Sequence, residues 1–153
     1  MFSLNLKLKA YFILIPLMTM FITSCTDKLP NENVNSLKPS RWYTTELVEQ
    51  GEAVYRNNCV SCHLDKAQGT LDWEKRLADG SYPPPPLNGT AHTWHHNKDT
   101  LLNVINHGGA PNGGNMPAFN SLLTTIEKQA VIAYFQSYWT DEIYQRWEKI
   151  ESR

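Results

Sequence analysis

The residues best suited to do chemistry in this chain are two cysteines and a histidine. Cys59 and Cys62 are separated by two residues, and His63 follows directly. The C-x-x-C-H spacing suits a redox dithiol, half of a tetrahedral zinc site, or the attachment point of a c-type haem. These three sites need different surroundings, so the neighbouring sequence decides between them.

The sequence before the motif predicts a helix and therefore disfavours the dithiol. A thioredoxin-like dithiol lies at a strand-to-helix turn inside a βαβ pattern. Residues 46–58 instead have helical periodicity, and Thr44 or Thr45 is a suitable N-cap. The small and apolar residues at that spacing are Leu47, Gly51, Val54 and Tyr55. The motif thus follows a helix and not a strand.

A zinc site would need a second pair of ligands at a comparable spacing. The nearest candidates lie in one short stretch and are His92, His95 and His96. In a c-type haem site, two cysteines form thioether bonds to the vinyl groups and the histidine binds the iron. We therefore predict one haem c, attached covalently through Cys59 and Cys62, with His63 as an axial ligand.

A methionine is the best candidate for the opposite face of the iron. Three of the four methionines lie near the N-terminus and are Met1, Met18 and Met20. The fourth, Met116, is preceded by Gly113 and Gly114 and followed by Pro117. Glycines permit close approach to a flat macrocycle, and proline stiffens the backbone. A lone methionine is ordinarily a core filler, but next to a predicted haem we expect Met116 to be the second axial ligand.

The N-terminal residues have the features of an export signal. Lys7 and Lys9 precede an apolar run over residues 10–22, which predicts a signal peptide over residues 1–24. The run is shorter than the roughly 20 apolar residues of a membrane-spanning helix. The sequence Ile-Thr-Ser-Cys that ends at Cys25 resembles a bacterial lipobox, which implies lipidation of that cysteine. The alternative is an ordinary signal peptide followed by a chance cysteine.

With these motifs in place, the chain from about Tyr43 to Trp139 resembles the class I c-type cytochromes, which share the fold of mitochondrial cytochrome c. The resemblance rests on the helix before the motif, on Pro85-Pro86-Leu87-Asn88-Gly89, on Met116-Pro117, and on an aromatic-rich last helix. It implies that the Pro85 carbonyl accepts a hydrogen bond from His63 Nδ1 and that Leu87 packs on the haem. It further implies that the first and last helices cross with Gly51 against Tyr134.

The expected fold is therefore all-α: about three to five helices around one haem, with long irregular loops. Polar residues 25–40 predict a flexible tether, and residues 41–153 predict the cytochrome domain. The last helix should begin with a capping box and bury one apolar face; these residues are Thr124, Glu127, Ile126, Ala130, Ala133 and Tyr134. A short helix is predicted over residues 99–106, and residues 140–153 predict a C-terminal helix that packs on the core or serves an interface.

Two stretches exceed what a minimal member of this family contains. Residues 68–86 form a long connection that includes Trp73 and ends in four prolines, which favour an extended backbone across the haem face. Residues 90–97 are rich in histidine and contain Trp94. We consider three roles for this loop: a clamp on a haem propionate through Trp94 Nε1, a copper or zinc site, or a plain surface loop.

The expected function follows from the predicted ligands, because a histidine/methionine pair leaves no open position on the iron. We expect a one-electron carrier in the bacterial cell envelope, facing the periplasm, lipid-anchored to a membrane and monomeric, with redox proteins as partners. The alternatives are a haem subunit of a multi-component or peroxidase-like oxidoreductase, and a haem-based ligand sensor. The 14 basic and 15 acidic residues give a net charge of −1, which provides no electrostatic argument for nucleic acid.

Overall fold

The computed structural model of the chain describes residues 40–153. The predicted signal peptide, Cys25 and the predicted tether up to residue 39 lie outside the described residues. The described part contains no β-strand beyond an isolated bridge between Tyr82 and Gly114, and its helices confirm the predicted all-α class. The α-helices are α1 (Thr45–Asn58), α2 (Val60–His63), α3 (Lys98–His107), α4 (Thr125–Gln136) and α5 (Asp141–Glu151). The 3-10 helices are His92–His95 and Ala110–Asn112.

The helices begin and end where local chemistry satisfies their terminal backbone groups. The Leu47 N–H donates to Thr44 Oγ1 at 3.3 Å, so Thr44 is the N-cap of α1. The predicted capping box of α4 is confirmed, because Thr124 and Glu127 each bond the other's backbone N–H. Helix α3 spans one residue more at each end than predicted and stops at Gly108, whose φ of +83° suits glycine.

Helices α1 and α4 cross in direct backbone contact, as the sequence predicted. A Cβ at Gly51 would collide with the Ala130 carbonyl and lie 2.9 Å from Tyr134 Cβ. The ring centroids of Tyr55 and Tyr134 are 4.9 Å apart. Glycine therefore permits the crossing that brings the end of α1, and the cysteine motif after it, against α4.

One residue of the predicted apolar face of α4 was wrongly assigned. Ile126 is 60% exposed, whereas Ala130, Ala133 and Tyr134 are buried as predicted. Ile126 is only the second residue of the helix and lies within the capping box formed by Thr124 and Glu127, in the first turn of α4. The helical period was predicted correctly, but not the point at which the contact begins.

Helix α5 packs on the core and is part of the domain. Tyr144 and Trp147 are each 1% exposed. The Trp42 N–H donates to the Tyr144 hydroxyl at 2.9 Å, and the Trp42 indole donates to Gln136 Oε1 at 2.7 Å. Because Trp42 bonds both α5 and the end of α4, and Tyr144 and Trp147 are buried, the core-packing alternative for residues 140–153 is confirmed.

Candidate haem site

The cysteine motif forms a single helical turn at the end of α1. Cys59 is the C-cap of α1, and its carbonyl accepts the N–H groups of Cys62 at 3.1 Å and His63 at 2.9 Å. Cys59 is half-buried, Cys62 is exposed, and both are free thiols. His63 is 7% exposed. The turn thus places two thiols and a buried imidazole within five residues on a rigid helix end.

The environment of Cys59 does not suit a reactive dithiol. Burial, with a smaller contribution from Cys62, raises the pKa of the Cys59 thiol to about 11. Redox-active cysteines have lowered pKa values because the thiolate is the nucleophile. No βαβ unit surrounds the motif within the described residues. The redox-dithiol alternative therefore lacks both its electrostatics and its structural context.

The His63 side chain has one nitrogen engaged and one available. Its Nδ1 lies 3.0 Å from the Pro85 carbonyl oxygen, the hydrogen bond that the family resemblance implied. A carbonyl only accepts, so Nδ1 carries the proton and the neutral ring keeps its lone pair on Nε2. Burial lowers the pKa of His63 from its ordinary value, although the bond to Pro85 opposes this effect. A buried, neutral and oriented imidazole of this kind is suited to bind a metal.

The segment that follows the proline run is fixed by the chain just after the motif. The Ala67 carbonyl accepts the N–H groups of Leu87 at 2.7 Å and Asn88 at 3.1 Å. Ala67 is fully buried and has a φ of +54°, a conformation that costs an alanine free energy and persists only where the surroundings impose it. Gly69 approaches the Pro85 backbone so closely that a Cβ would lie 2.5 Å from the Pro85 oxygen. This close packing holds the Pro85 carbonyl near His63.

Met116 lies in a loop that two glycines make possible. Its carbonyl accepts the Gly109 N–H at 2.9 Å, and a Cβ at Gly108 would lie 2.6 Å from that same oxygen. The glycines predicted to matter were Gly113 and Gly114, but the closest approach to Met116 is made by Gly108 and Gly109. The side chain of Met116 is half-buried against the apolar core. The loop is therefore a tight backbone arrangement that fixes where the thioether lies.

Several predicted site residues lie against one buried apolar cluster. This cluster includes Tyr55, Ala67, Tyr134 and Trp139. The half-buried predicted site residues in contact with it are Cys59, Leu87, Trp94 and Met116. His63 joins the same region through Pro85. The fold thus brings four of the predicted haem-site residues against one core, and the Pro85 contact with His63 lies beside Leu87 in the chain.

The histidine-rich loop is an aromatic cluster. The ring of His92 stacks on Trp73 with centroids 4.4 Å apart, and the ring of His96 lies 5.3 Å from that of His92. Burial first, and then the neighbouring histidines, lower the pKa of both His92 and His96 from its ordinary value. Across residues 40–153, no group of three or more possible protein ligands is arranged to hold a metal ion. The role of Trp94 as a propionate clamp stays a prediction.

Sequence reasoning missed two residues that contact the proline segment. The Thr93 hydroxyl donates to the Pro86 carbonyl at 2.8 Å, and the Trp139 indole donates to the Leu87 carbonyl at 2.7 Å. The signal that could have revealed them is the proline run itself. Prolines have carbonyls but no N–H, so a buried run must find donors elsewhere.

The donor set fits a c-type haem. Two thiols at the required spacing, a neutral imidazole with a free Nε2 and a half-buried thioether are the groups that such a cofactor needs. Together with the all-α fold, these features define the class of protein, which is a c-type cytochrome.

The comparison with protein families identifies the particular family. Residues 46–135 match the family described as cytochrome c oxidase, cbb3-type, subunit III. The chain belongs to this family. The match begins in α1 and ends in α4, so it includes the cysteine motif, the proline segment and Met116 but neither Trp139 nor α5. A family of c-type cytochromes implies haem c as the cofactor.

Two curated proteins extend the comparison. The chain is 36% identical over 89 residues to the cbb3-type cytochrome c oxidase subunit CcoP of Azospirillum sp. (strain B510), covering 57% of the chain and 28% of that protein. It is 34% identical over 88 residues to the subunit CcoP of Azospirillum brasilense, covering 56% of the chain and 27% of that protein. The chain thus spans little more than a quarter of the length of these relatives. No solved structure matches the chain.

Proposed function

We propose that the chain is a one-electron carrier with a single haem c. In this proposal Cys59 and Cys62 hold the cofactor by thioether bonds, and His63 Nε2 and the Met116 sulfur are the axial ligands. The observation that carries the proposal is the state of His63: buried, bonded at Nδ1 and free at Nε2, directly after two free thiols. When bound, the haem accepts and releases single electrons at its iron.

The two proposed iron ligands, His63 and Met116, determine which reactions the haem site supports. His63 and Met116 together occupy both axial positions, so no side is left for oxygen, peroxide or a substrate. The Met116 sulfur is a soft neutral donor and favours the reduced state, which gives a higher potential than a second histidine would. The Gly108–Gly109 contacts with the Met116 backbone resist displacement of that ligand. Electron transfer is thus favoured over independent catalysis or ligand sensing.

The proposed partner is a membrane-bound oxidoreductase of the cbb3 oxidase class. The support is the family match and the two relatives named as oxidase subunits. A second candidate role, favoured by the same match, is a stably bound haem subunit of such an oxidase. In either role we propose that the chain is a lipid-anchored monomer facing the periplasm, tethered through Cys25 and residues 26–40. None of the helices in residues 40–153 is long and apolar enough to cross a membrane.

The experiment that tests this role uses the variant Cys25→Ala. We expect it to leave the membrane fraction with its haem intact, because the anchor and the haem site lie in separate segments. Ser24→Ala is the matched control, since it keeps a small residue before the cysteine and should stay membrane-bound. The released variant is reduced, mixed with membranes from cells that lack the native protein, and followed by its optical spectrum.

Rapid reoxidation that depends on the membranes supports the carrier role. Copurification of the released variant with the oxidase at a fixed ratio supports the subunit role instead. Sedimentation of Cys25→Ala with membranes that have been stripped of partner proteins contradicts the lipid anchor. Reoxidation by hydrogen peroxide alone, at a rate that the membranes do not increase, contradicts both roles and favours a peroxidase-like enzyme.

A further inference from the structure

Residues 84–87 present four consecutive backbone carbonyls that all accept hydrogen bonds from elsewhere in the chain. Residues 83–86 are all proline and have no N–H groups. Three of the four carbonyls belong to this proline run, and the fourth belongs to Leu87 directly after it. The acceptors and donors are Pro84 O from Thr70 N (2.8 Å), Pro85 O from His63 Nδ1 (3.0 Å), Pro86 O from Thr93 Oγ1 (2.8 Å) and Leu87 O from Trp139 Nε1 (2.7 Å).

These four donors come from four separate parts of the chain. His63 ends α2, Thr70 lies in the loop after it, Thr93 is in the first 3-10 helix, and Trp139 lies between α4 and α5. Thr93 and Trp139 are each 3% exposed, so water does not replace them easily. The Trp139 ring also lies against Gly89, where a Cβ would be 3.0 Å from Trp139 Cδ1. The segment is thus held along its length by hydrogen bonds whose donors at Thr93 and Trp139 are buried residues.

The hydrogen bonds to the Pro84, Pro86 and Leu87 carbonyls also restrict the Pro85 carbonyl, because proline rings limit the backbone between them. The rings of Pro85 and Pro86 lock φ near −65°, so the orientation of each carbonyl depends mainly on its own ψ. Fixing the Pro86 and Leu87 oxygens removes most of the remaining freedom at this end of the run, while Thr70 fixes Pro84 at the other. The carbonyl between them, that of Pro85, is then held in one orientation toward His63 Nδ1.

We propose that Thr93 and Trp139 are positioning residues that set the reduction potential through His63. This proposal rests on the proposed function, because it takes His63 as an axial ligand. A hydrogen bond from Nδ1 to a well-oriented carbonyl makes the imidazole a stronger electron donor at Nε2 and stabilises the oxidised iron. Loss of the Thr93 or the Trp139 hydrogen bond lets the Pro85 carbonyl move away from its orientation toward His63. The His63 imidazole then donates less electron density to the iron, and the reduction potential rises.

The test removes each donor with the smallest change of shape. Thr93→Val replaces the hydroxyl by a methyl group, and Trp139→Phe removes the indole N–H. In the haem-loaded protein, both variants should have a higher midpoint potential than the native chain. Both should also show faster solvent exchange of the His63 Nδ1 proton by nitrogen-15 NMR. Thr93→Ser keeps the hydroxyl and should restore both readouts to near their native values.

Trp147 offers a matched control. Its indole donates to the His96 carbonyl at 2.9 Å and the residue is 1% exposed, so Trp147→Phe loses the same kind of buried bond. That bond does not involve residues 84–87. The Trp147 ring also packs on Trp139, with centroids 6.0 Å apart, so this variant reports the effect of disturbed packing there. Trp147→Phe should therefore lower the melting temperature but leave the potential and the His63 exchange rate unchanged.

The outcomes separate this proposal from the proposed function. If Thr93→Val and Trp139→Phe lose stability but keep the native potential and exchange rate, the two residues are merely structural and the proposal is wrong. If Trp139→Phe does not accumulate, the midpoint potential and His63 exchange rate of Thr93→Val alone test the proposal. Failure of the proposed function would be seen in the native protein itself, as a haem that lacks histidine/methionine ligation.

Discussion

Replacing Cys59 or Cys62 by serine should strip or destabilise the covalent haem and leave a poorly folded chain. Each serine removes one thioether bond, and the double variant removes both. In so small a domain the cofactor supplies a large share of the buried apolar surface. A ligand that binds only the folded state contributes about 4 kcal/mol when present at a thousandfold excess over its Kd, so failure to retain a tightly held cofactor should cost stability on that order.

The measurements are haem staining after denaturing electrophoresis, and thermal unfolding followed by circular dichroism. Ser61→Ala is the matched control, because Ser61 lies between the two cysteines and is exposed. It should keep the native haem content and melting temperature. A double serine variant that is free of haem and yet melts cooperatively at the native temperature would show that the core does not depend on the cofactor.

The second large effect is expected at Met116. Met116→His should keep a six-coordinate low-spin haem but lower the midpoint potential by on the order of a hundred millivolts, because imidazole stabilises ferric iron relative to sulfur. Met116→Ala should open the iron to external ligands. The weak red-edge charge-transfer band of sulfur bound to ferric haem should be present in the native protein and absent from both variants.

Met116→Leu separates a ligand from a core filler. Leucine has nearly the same volume, and such an exchange in a core usually costs less than about 1.5 kcal/mol. If Met116 only fills space, Met116→Leu should retain the native spectrum and potential. If it is the axial ligand, the variant should lose the charge-transfer band and bind carbon monoxide readily. A native protein without that band would instead implicate His92, His95, His96 or His107 as the ligand.

Much of this site could be predicted from local sequence, because its parts are short and their chemistry is specific. The cysteine motif has few structural uses, and the family resemblance implied the contact of Gly51 with Tyr134. The error at Ile126 arose because helical periodicity identifies a face but not how far the neighbouring helix extends along it. Only tertiary packing determines that.

The proline run indicates that buried carbonyls need donors, but it does not identify Thr93 and Trp139 as those donors. A side-chain donor that bonds a backbone carbonyl 7 residues away (Thr93) or 52 residues away (Trp139) leaves no periodic signal. Helix α5 posed the same problem: its apolar spacing predicted a helix, but only the buried Tyr144 and Trp147 show that it packs on the core. Sequence thus predicts the residues that need a partner more reliably than it predicts which partner they find.

If His63 and Met116 fill both axial positions of a single haem, the protein carries electrons and offers no open site to a substrate. This is tested most directly by the optical spectrum of the reduced native protein before and after addition of carbon monoxide, with Met116→Ala as the positive control. We expect an unchanged native spectrum and prompt carbon monoxide binding by Met116→Ala. Fast binding of carbon monoxide by the native protein would contradict this ligation.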